Sequence, residues 1–179
     1  LWIVLPIKPF NYFALLWLIL PFLPPRPQVQ TGEARIHILD VGQGLAVSIQ
    51  TAHHVLLYDT GDQFFQGSDL GKMVILPYFM TLKINQVDKI VISHPDKDHR
   101  GGLKSVQEEM VVHELLVNDP KYYRQGLKCH EYPSWQWDGV NFRFFPIKKA
   151  FKEKNNSSCI LQVSNSAGRI LLTGDIEQI

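Results

Sequence analysis

The strongest constraint on this chain is a group of four metal-binding side chains within six consecutive residues. They are His94, Asp96, Asp98 and His99. The apolar run Asp88–Ser93 precedes them and predicts a strand that is buried on both faces. Because side chains at the end of such a strand can be directed into one cavity, the first two are predicted to bind one divalent ion and the last two a neighbouring ion. The alternative is a solvated turn in which the histidines have no role, but such a turn would not explain why four metal-binding residues occur in this order.

Short strands dominate the remainder of the sequence. Strands are predicted over 34–40, 45–50, 53–59, 115–118, 141–145, 159–164 and 169–172. The dipeptide Thr51-Ala52 connects the second and third of these so tightly that they are expected to form a hairpin. Helices are predicted over 69–82, with Ser68 as N-cap and a kink at Pro77, and over 102–109. This pattern favours an α/β sandwich of layered sheets over a helical bundle.

An apolar segment opens the chain. Residues 1–23 contain only Lys8 and Asn11 as strongly polar side chains. The favoured interpretation is the end of a transmembrane helix, although the cleanest apolar run is shorter than the ~20 residues that span a bilayer. A buried or surface-lying segment and a signal peptide are the alternatives. The prolines that follow predict a stiff linker over 24–32 and a globular domain over 33–179. Because no initiating Met is present, the chain is expected to be part of a longer protein.

Composition excludes several classes of protein. The net charge is +1, from 18 Lys and Arg against 17 Asp and Glu, which excludes a histone-like polycation and an acidic tail. A hydrophobic fraction of 45% fits a folded domain rather than a disordered chain. Cys129 and Cys159 are too few for a disulfide framework and lack the spacing of a zinc ribbon. The sequence leaves open whether these two cysteines pair.

The metal-binding segment also resembles a known signature. Its pattern H-x-D-x-D-H-x-G-G is similar to the H-x-H-x-D-H motif of the metallo-β-lactamase superfamily, with Asp96 in place of the second His. With Pro95 included, it resembles the domain that follows the membrane channel in ComEC-type proteins of natural competence. Four further segments resemble that family: Ile38–Gly44, Leu56–Gly61, Asn155–Leu161 and Leu171–Glu177. The resemblance covers residues 35–179 and implies a metallo-β-lactamase-like αββα sandwich that lacks its C-terminal part.

Two aspartates outside that segment are candidates for the same site. The resemblance implies that Asp175 is the carboxylate that bridges both ions, and its two oxygens suit that role. Asp59, at a strand end, is predicted to accept hydrogen bonds around the metal-binding segment and to orient its ligands. A helix cap for Asp175 and a simple Asp-Thr-Gly turn for Asp59 are the alternatives. We assign Asp98, His99 and Asp59 to catalysis.

Two polar turns supply further candidates. Asp40 and Gln43 lie in a glycine-rich turn, and Asn155 and Ser158 lie in a loop that matches the ComEC-like pattern. All four are predicted to contact metal-bound water or a phosphate oxygen, with ordinary turns as the alternative. Leu45 stands where the family commonly has an acidic residue, so this chain departs from the family pattern at that position.

The donor set predicts the kind of metal. With Asp96 in place of His and no His in the 155–158 loop, the first ion would be bound mostly by oxygen. Oxygen-rich sites suit Mn²⁺, with Zn²⁺ or Mg²⁺ as alternatives. We therefore expect two divalent ions, Mn²⁺ favoured, that this chain binds weakly because the family places a further His beyond Ile179.

Basic and aromatic residues predict a nucleic-acid partner. The lysine cluster comprises Lys148, Lys149, Lys152 and Lys154. Such a cluster can contact the phosphates of single-stranded DNA, and an ordinary solvated loop is the alternative. The aromatic residues of the preceding stretch are predicted either to stack on bases or to lie in the core: Tyr122, Tyr123, Tyr132, Trp135 and Trp137.

The resemblance as a whole implies a function. A ComEC-like domain is expected to hydrolyse phosphodiester bonds in the DNA strand that is not taken up. Its partners would be DNA, the membrane through the N-terminal segment, and other domains of the same channel protein. The expected location is the cell inner (cytoplasmic) membrane, with the domain on the extracytoplasmic side. The alternatives are a non-catalytic DNA-guiding module and a small-molecule ester or thioester hydrolase of the same superfamily.

Overall fold

A computed structural model of the chain describes residues 28–64, 67–146 and 155–177. Three parts of the chain lie outside these ranges: the apolar segment expected over 1–23, residues 24–27 of the linker expected over 24–32, and the lysine cluster. Within them the strands form two sheets. No helix in the described ranges is long and apolar enough to cross a membrane.

The larger sheet contains six strands in sequence order. They are β1 (Arg35–Ile38), β2 (Val47–Gln50), β3 (Val55–Tyr58), β4 (Gln86–Ile92), β5 (Val111–Val117) and β6 (Leu127–Lys128). The predicted hairpin is confirmed, because β2 and β3 pair antiparallel with Gln50 opposite Val55. From β3 to β6 neighbouring strands are parallel. The carboxyl ends of β3, β4 and β5 therefore meet at one edge, which is where the candidate site residues follow in sequence.

The second sheet contains four antiparallel strands in the order β10-β9-β8-β7. They are β7 (Trp135–Trp137), β8 (Val140–Phe144), β9 (Leu161–Ser164) and β10 (Arg169–Leu172). Along β8 the burial alternates strictly, with Phe142 buried between exposed Asn141 and Arg143. Because successive side chains of a strand point to opposite faces, this alternation places the apolar side chains on the inner face of the sheet and the polar ones on its outer face.

Alternation along the central strands separates two apolar cores. In β3, Leu57 packs against the helices, whereas Leu56 and Tyr58 face the second sheet. In β4, Ile90 packs on the helical side and Val91 on the side of the second sheet. The described residues thus supply three layers of the expected αββα sandwich: helices, six-stranded sheet and four-stranded sheet.

The helical layer contains α1 (Leu76–Thr81), α2 (Lys97–Arg100) and α3 (Leu103–Glu109), and a π-helical turn, Gly71–Ile75, leads into α1. The prediction of Ser68 as N-cap is wrong. Its hydroxyl donates to the Met73 sulfur, whereas the Asp69 carboxylate accepts the backbone N–H of Lys72 at 3.0 Å. Pro77 lies near the start of α1, directly after the π-helical turn, and as a proline it has no N–H to donate to a carbonyl of that turn.

Two links hold the sheets together near the site. A disulfide joins Cys129 to Cys159 with their Cα atoms 5.9 Å apart, so the pairing that the sequence left open does form. The hydroxyl of Tyr58, buried at the end of β3, donates to the carbonyl oxygen of Cys159 at 2.7 Å. Both links fix the residues that precede β9 against the carboxyl edge of the larger sheet.

Buried Lys89 organises the aromatic stretch. Its ammonium group pairs with Glu114 and donates to the Tyr132 hydroxyl at 2.8 Å. The same nitrogen lies 5.0–5.5 Å from the ring centres of Tyr132, Trp135 and Trp137, which are cation–π distances. These three rings pack against the core between the two sheets. Of the two predicted roles, stacking on bases or lying in the core, the second is therefore correct for them.

Candidate metal centre

Asp59 is the buried anchor of the site. It follows β3 with a positive φ of 58°, and its side chain is fully buried. Its carboxylate accepts hydrogen bonds from the Ser93 backbone N–H at 2.6 Å and from the Ser93 hydroxyl at 2.7 Å. It also bonds to Nδ1 of His99 at 2.8 Å. Since a carboxylate only accepts, His99 Nδ1 carries the proton and the lone pair lies on Nε2.

His94 and His99 lie side by side below the surface. Their ring centres are 4.1 Å apart, and both side chains are at most 2% exposed. Nδ1 of His94 bonds to the Ser93 hydroxyl at 3.0 Å. Nε2 of His94 is buried, and it finds no hydrogen-bond partner in the described part of the chain. An orphaned imidazole nitrogen in this position has the chemistry of a metal ligand.

Burial and charge shift the acid–base equilibria of this group. Burial raises the pKa of the Asp59 carboxyl, and the hydrogen bond from His99 opposes that shift. Burial alone would lower the pKa of His99, but the hydrogen bond and charge of Asp59 outweigh it, so the pKa of His99 is raised. Burial, followed by the neighbouring charge of His99, lowers the pKa of His94. His94 is therefore the imidazole whose neutral, ligating form is favoured.

Three aspartates face the two imidazoles. The Asp175 carboxylate lies 3.3 Å from His99 Nε2, and Asp98 lies 3.9 Å from the same nitrogen. Asp96 lies 3.7 Å from His94 Nε2. The structure thus brings together all five residues that the sequence assigned to metal binding, with Asp96 beside His94 and Asp98 beside His99.

These residues fit a divalent cation. One ligand atom from each of His94, His99 and Asp175 lies within 4.8 Å of the other two. The donors are imidazole nitrogen and carboxylate oxygen, which suit Mn²⁺ and Zn²⁺. The carboxylates of Asp98 and Asp175 both lie within 3.9 Å of His99 Nε2, and a cation bound beside that nitrogen would offset the repulsion between their negative charges. We call these three residues, with Asp96 and Asp98, the metal centre.

The glycine-rich turn after β1 packs directly on the metal-binding segment. A cavity of about 550 Å³ opens beside His99 and Asp175, and Gln43, Gly44 and Leu45 form part of its wall. Gly44 has a φ of 105°, and a Cβ there would lie 2.0 Å from the Asp98 carbonyl oxygen. The same oxygen accepts the Leu45 N–H at 3.2 Å. Only glycine allows this approach, so the turn fixes the backbone that presents Asp98.

The other predicted contacts divide into two groups. Gln43 lines the cavity, whereas Asp40 is exposed and accepts the Gly42 N–H within its own turn at 3.3 Å. Ser158 is fully buried and donates to the Asn155 carbonyl oxygen at 2.6 Å. Of the four predicted residues, Gln43 lines the cavity, whereas Asp40, Asn155 and Ser158 are not among the described residues of its wall.

Sequence reasoning missed two residues that shape the site. Ser93 bridges Asp59 and His94, and its carbonyl oxygen accepts the Cys159 N–H at 2.9 Å. Thr60 donates both its N–H and its hydroxyl to the His99 carbonyl oxygen, at 2.6 and 3.0 Å. The available signal was position, since each lies directly beside a predicted site residue at the end of a buried strand.

Relatives with curated names cover most of the chain. Competence protein ComA of Neisseria gonorrhoeae is 35% identical over 158 residues, which is 87% of this chain and 22% of that protein. Recombination protein 2 of Haemophilus influenzae is 33% identical over 146 residues, which is 80% of this chain and 18% of that protein. The chain thus spans about a fifth of the length of these relatives.

Solved structures and a family comparison agree on the fold. A metallo-β-lactamase of Cronobacter sakazakii with a HARLDQ motif is 15% identical with a TM-score of 0.56, over 82% of this chain and 60% of that one. The subclass B3 enzyme MEM-A1 from a soil metagenome is 15% identical with a TM-score of 0.52, over 83% of this chain and 61% of that one. Residues 39–179 match the metallo-β-lactamase superfamily, and the chain belongs to that superfamily.

Proposed function

We propose that this chain is the hydrolytic domain of a DNA-uptake protein and cleaves phosphodiester bonds in the strand that is not transported. The observation that carries the proposal is the convergence of His94, His99 and Asp175, with an unpartnered imidazole nitrogen among carboxylates. The relatives named for competence and recombination support DNA as the substrate. Membership of a superfamily of mostly metal-dependent hydrolases supports hydrolysis.

The residues of the metal centre and Asp59 have different roles in the proposed reaction. His94 with Asp96 and His99 with Asp98 would hold two divalent ions, Mn²⁺ favoured, and Asp175 would bridge them. When bound, such a pair of ions activates a water molecule and neutralises charge on the phosphate. Asp59 does not line the cavity, so its part is to position His99 by holding the Nδ1 proton.

The surroundings of the cavity support an extended substrate. Asp98 and Asp175 are 27% and 48% exposed, so the ions would lie at an open surface rather than in a closed pocket. Leu45 and Leu171 form an apolar part of the wall beside the metal centre. A polymer can lie across such an opening, with a phosphate at the ions and sugar or base against the leucines.

A location outside the cytoplasm is part of the proposal. The Cys129–Cys159 disulfide supports an oxidising compartment, because cytosolic proteins seldom keep such bonds. The apolar segment over 1–23 would anchor the domain, 33–179, to the inner membrane through the linker over 24–32. Other domains of the same channel protein and single-stranded DNA would then be its neighbours.

The test is a metal-dependent cleavage assay. Single-stranded oligonucleotides labelled at either end are incubated with the chain and Mn²⁺, Mg²⁺ or Zn²⁺. Cleavage is expected with Mn²⁺, abolished by EDTA, and reduced at least about 100-fold in Asp98→Ala, which loses a metal ligand. Glu109→Gln, which changes an exposed acid away from the centre, is the matched control and should cleave normally.

Two other results would replace the proposal. DNA binding that survives Asp98→Ala, without cleavage under any metal, would identify a guiding module instead. Turnover of small esters or thioesters, combined with indifference to oligonucleotides, would identify a small-molecule hydrolase.

A further inference from the structure

A second concavity lies on the opposite side of α2 from the metal centre. Asp98 and His99 of this helix line the metal cavity, whereas Lys97 and Arg100 line a separate groove of about 540 Å³. Residues three apart share a helix face, so α2 presents ligands on one face and cations on the other. The groove continues along α3 to Lys104 and across to Lys72 at the start of the π-helical turn.

Positive charge dominates this basic groove. Its cations are Lys72, Lys97, Arg100 and Lys104. Two acids also line it, and both are engaged. Asp69 is 4% exposed and holds the Ser105 hydroxyl and the Lys72 backbone N–H. Glu108 forms a surface pair with Lys104 at 3.6 Å, in which the lysine side chain is 85% exposed. Such a pair contributes little and leaves the ammonium group available to another anion.

Two tyrosines complete the groove beside Arg100. The Arg100 guanidinium donates to the Tyr122 carbonyl oxygen at 3.2 Å and lies 5.7 Å from the centre of the Tyr123 ring. These contacts hold the guanidinium in place at the edge of the groove. The Tyr122 side chain is 46% exposed, so its ring is free to meet a planar partner. Fixed cations beside an exposed aromatic ring are the features by which proteins hold single strands without reading sequence.

We infer that the basic groove binds the sugar–phosphate backbone of a single nucleic-acid strand. The inference rests on the proposed function for its setting, since a strand held here would continue over α2 to the metal centre. The cations line a concavity, which a narrow, flexible strand can enter, whereas the flat surface of a bilayer contacts protruding residues. The groove cations and the lysine cluster share no residue, so variants of each test the two predictions separately.

Binding without metal tests the inference apart from cleavage. The affinity of the chain for fluorescein-labelled oligo(dT) is measured by anisotropy in EDTA over a series of KCl concentrations. One variant combines Lys72→Gln, Lys97→Gln and Lys104→Gln. The matched control combines Lys83→Gln, Arg143→Gln and Arg169→Gln, which removes the same charge from exposed positions outside the groove. Thermal unfolding of both variants verifies that the fold is kept.

The groove variant should lose salt dependence as well as affinity. Each phosphate contact to a single strand adds ~0.7 to the slope of log K against log salt, so three lost contacts lower it by about 2. At 0.1 M salt that corresponds to about 100-fold weaker binding. The control variant should keep the slope of the wild type.

Other outcomes overturn the inference. Equal slopes for groove and control variants would show that general charge, rather than the groove, attracts DNA. Binding to vesicles of equal parts phosphatidylglycerol and phosphatidylcholine, with no oligonucleotide binding, would assign the groove to a membrane surface. The binding assay contains no metal, so its result does not depend on cleavage. Absence of cleavage in the separate metal-dependent assay would refute the proposed function and would leave the binding result unchanged.

Discussion

Replacing Asp59 by Asn should separate metal affinity from stability. Asn has the same shape as Asp but offers one acceptor oxygen and an NH₂ group. In the wild type, the two carboxylate oxygens accept from Ser93 twice and from His99 once. In Asp59→Asn, the NH₂ group would face the Ser93 hydroxyl and His99 Nδ1. The hydroxyl can rotate to accept, and the imidazole can accept only if its proton moves to Nε2.

The structure sets the size of both effects. Because the Ser93 hydroxyl and the His99 ring can both adapt, the loss is about one buried charged hydrogen bond, or about 1–3 kcal/mol. For a domain of this size that lowers the thermal midpoint by roughly 2–12 °C. The affinity for metal should also fall, by at least about 10–100-fold, because a proton on Nε2 blocks the nitrogen with which His99 would bind the ion. Asp59→Asn is thus expected to fold and yet bind metal poorly.

Two measurements check the prediction. Calorimetric titration with Mn²⁺ and Zn²⁺ gives the affinity, and ¹⁵N NMR of the imidazoles reports which nitrogen of His99 is protonated. Asp119→Asn, a change at a half-exposed aspartate outside the metal centre, is the control. The reasoning is refuted if Asp59→Asn keeps the Nδ1–H tautomer of His99 and binds metal as tightly as the wild type.

Two further predictions concern parts of the fold that support the site, and a third concerns a contact between two turns of the fold. Gly44→Ala should weaken metal binding at least about tenfold in the same titrations, because its Cβ would lie 2.0 Å from the Asp98 carbonyl oxygen and must displace that backbone. Replacing both Cys129 and Cys159 by Ala should lower the free energy of unfolding, measured with urea, by roughly 3–4 kcal/mol. The reason is the entropy of the loop that the disulfide closes, with a sequence separation of 30, and reduction of the wild type should lower that free energy by a similar amount. In the third, Asp138 accepts from Thr51 and His53, and these hydrogen bonds hold the pKa of its carboxyl well below the usual range. A carboxyl whose pKa is lower in the folded state stabilises the fold at pH values above its unfolded pKa of about 3.9. That stabilisation is lost as the pH falls through the pKa of the folded state. Asp138→Asn should therefore be about 1–2 kcal/mol less stable than the wild type at pH 7, with a difference that shrinks below about pH 4. A gap that stays constant down to pH 2 would contradict this assignment.

Much of the fold could be predicted because burial leaves a periodic signal in sequence. The apolar run 88–93 marks β4, since a strand covered on both faces needs apolar residues at nearly every position. The strand β7 was missed, because Trp135 and Trp137 flank a polar residue in a stretch without β-branched neighbours. Pairing with β8 forms that strand, and its two indole rings pack on Phe142 and beside buried Lys89, a contact between distant residues that no local pattern reveals.

The candidate site divides in the same way. Motif spacing was sufficient to select His94 and Asp98, and the family resemblance selected Asp175; the fold brings these side chains to one edge. The part of Ser93 could not be predicted, because serine at a strand end has many uses and its partners lie 34 residues away at Asp59. The basic groove was missed for a related reason, since Lys72 is distant in sequence from Lys97, Arg100 and Lys104, and only packing unites these cations in one concavity.

The central claim is that His94, His99 and Asp175 bind a divalent cation together. It is tested most directly by anomalous X-ray diffraction from crystals of this chain soaked in millimolar Mn²⁺. We expect anomalous peaks within about 2.0–2.3 Å of His94 Nε2 and His99 Nε2, with Asp175 reaching the same ions. Peaks at other surface acids, with both imidazole nitrogens left without an ion at saturating Mn²⁺, would contradict it.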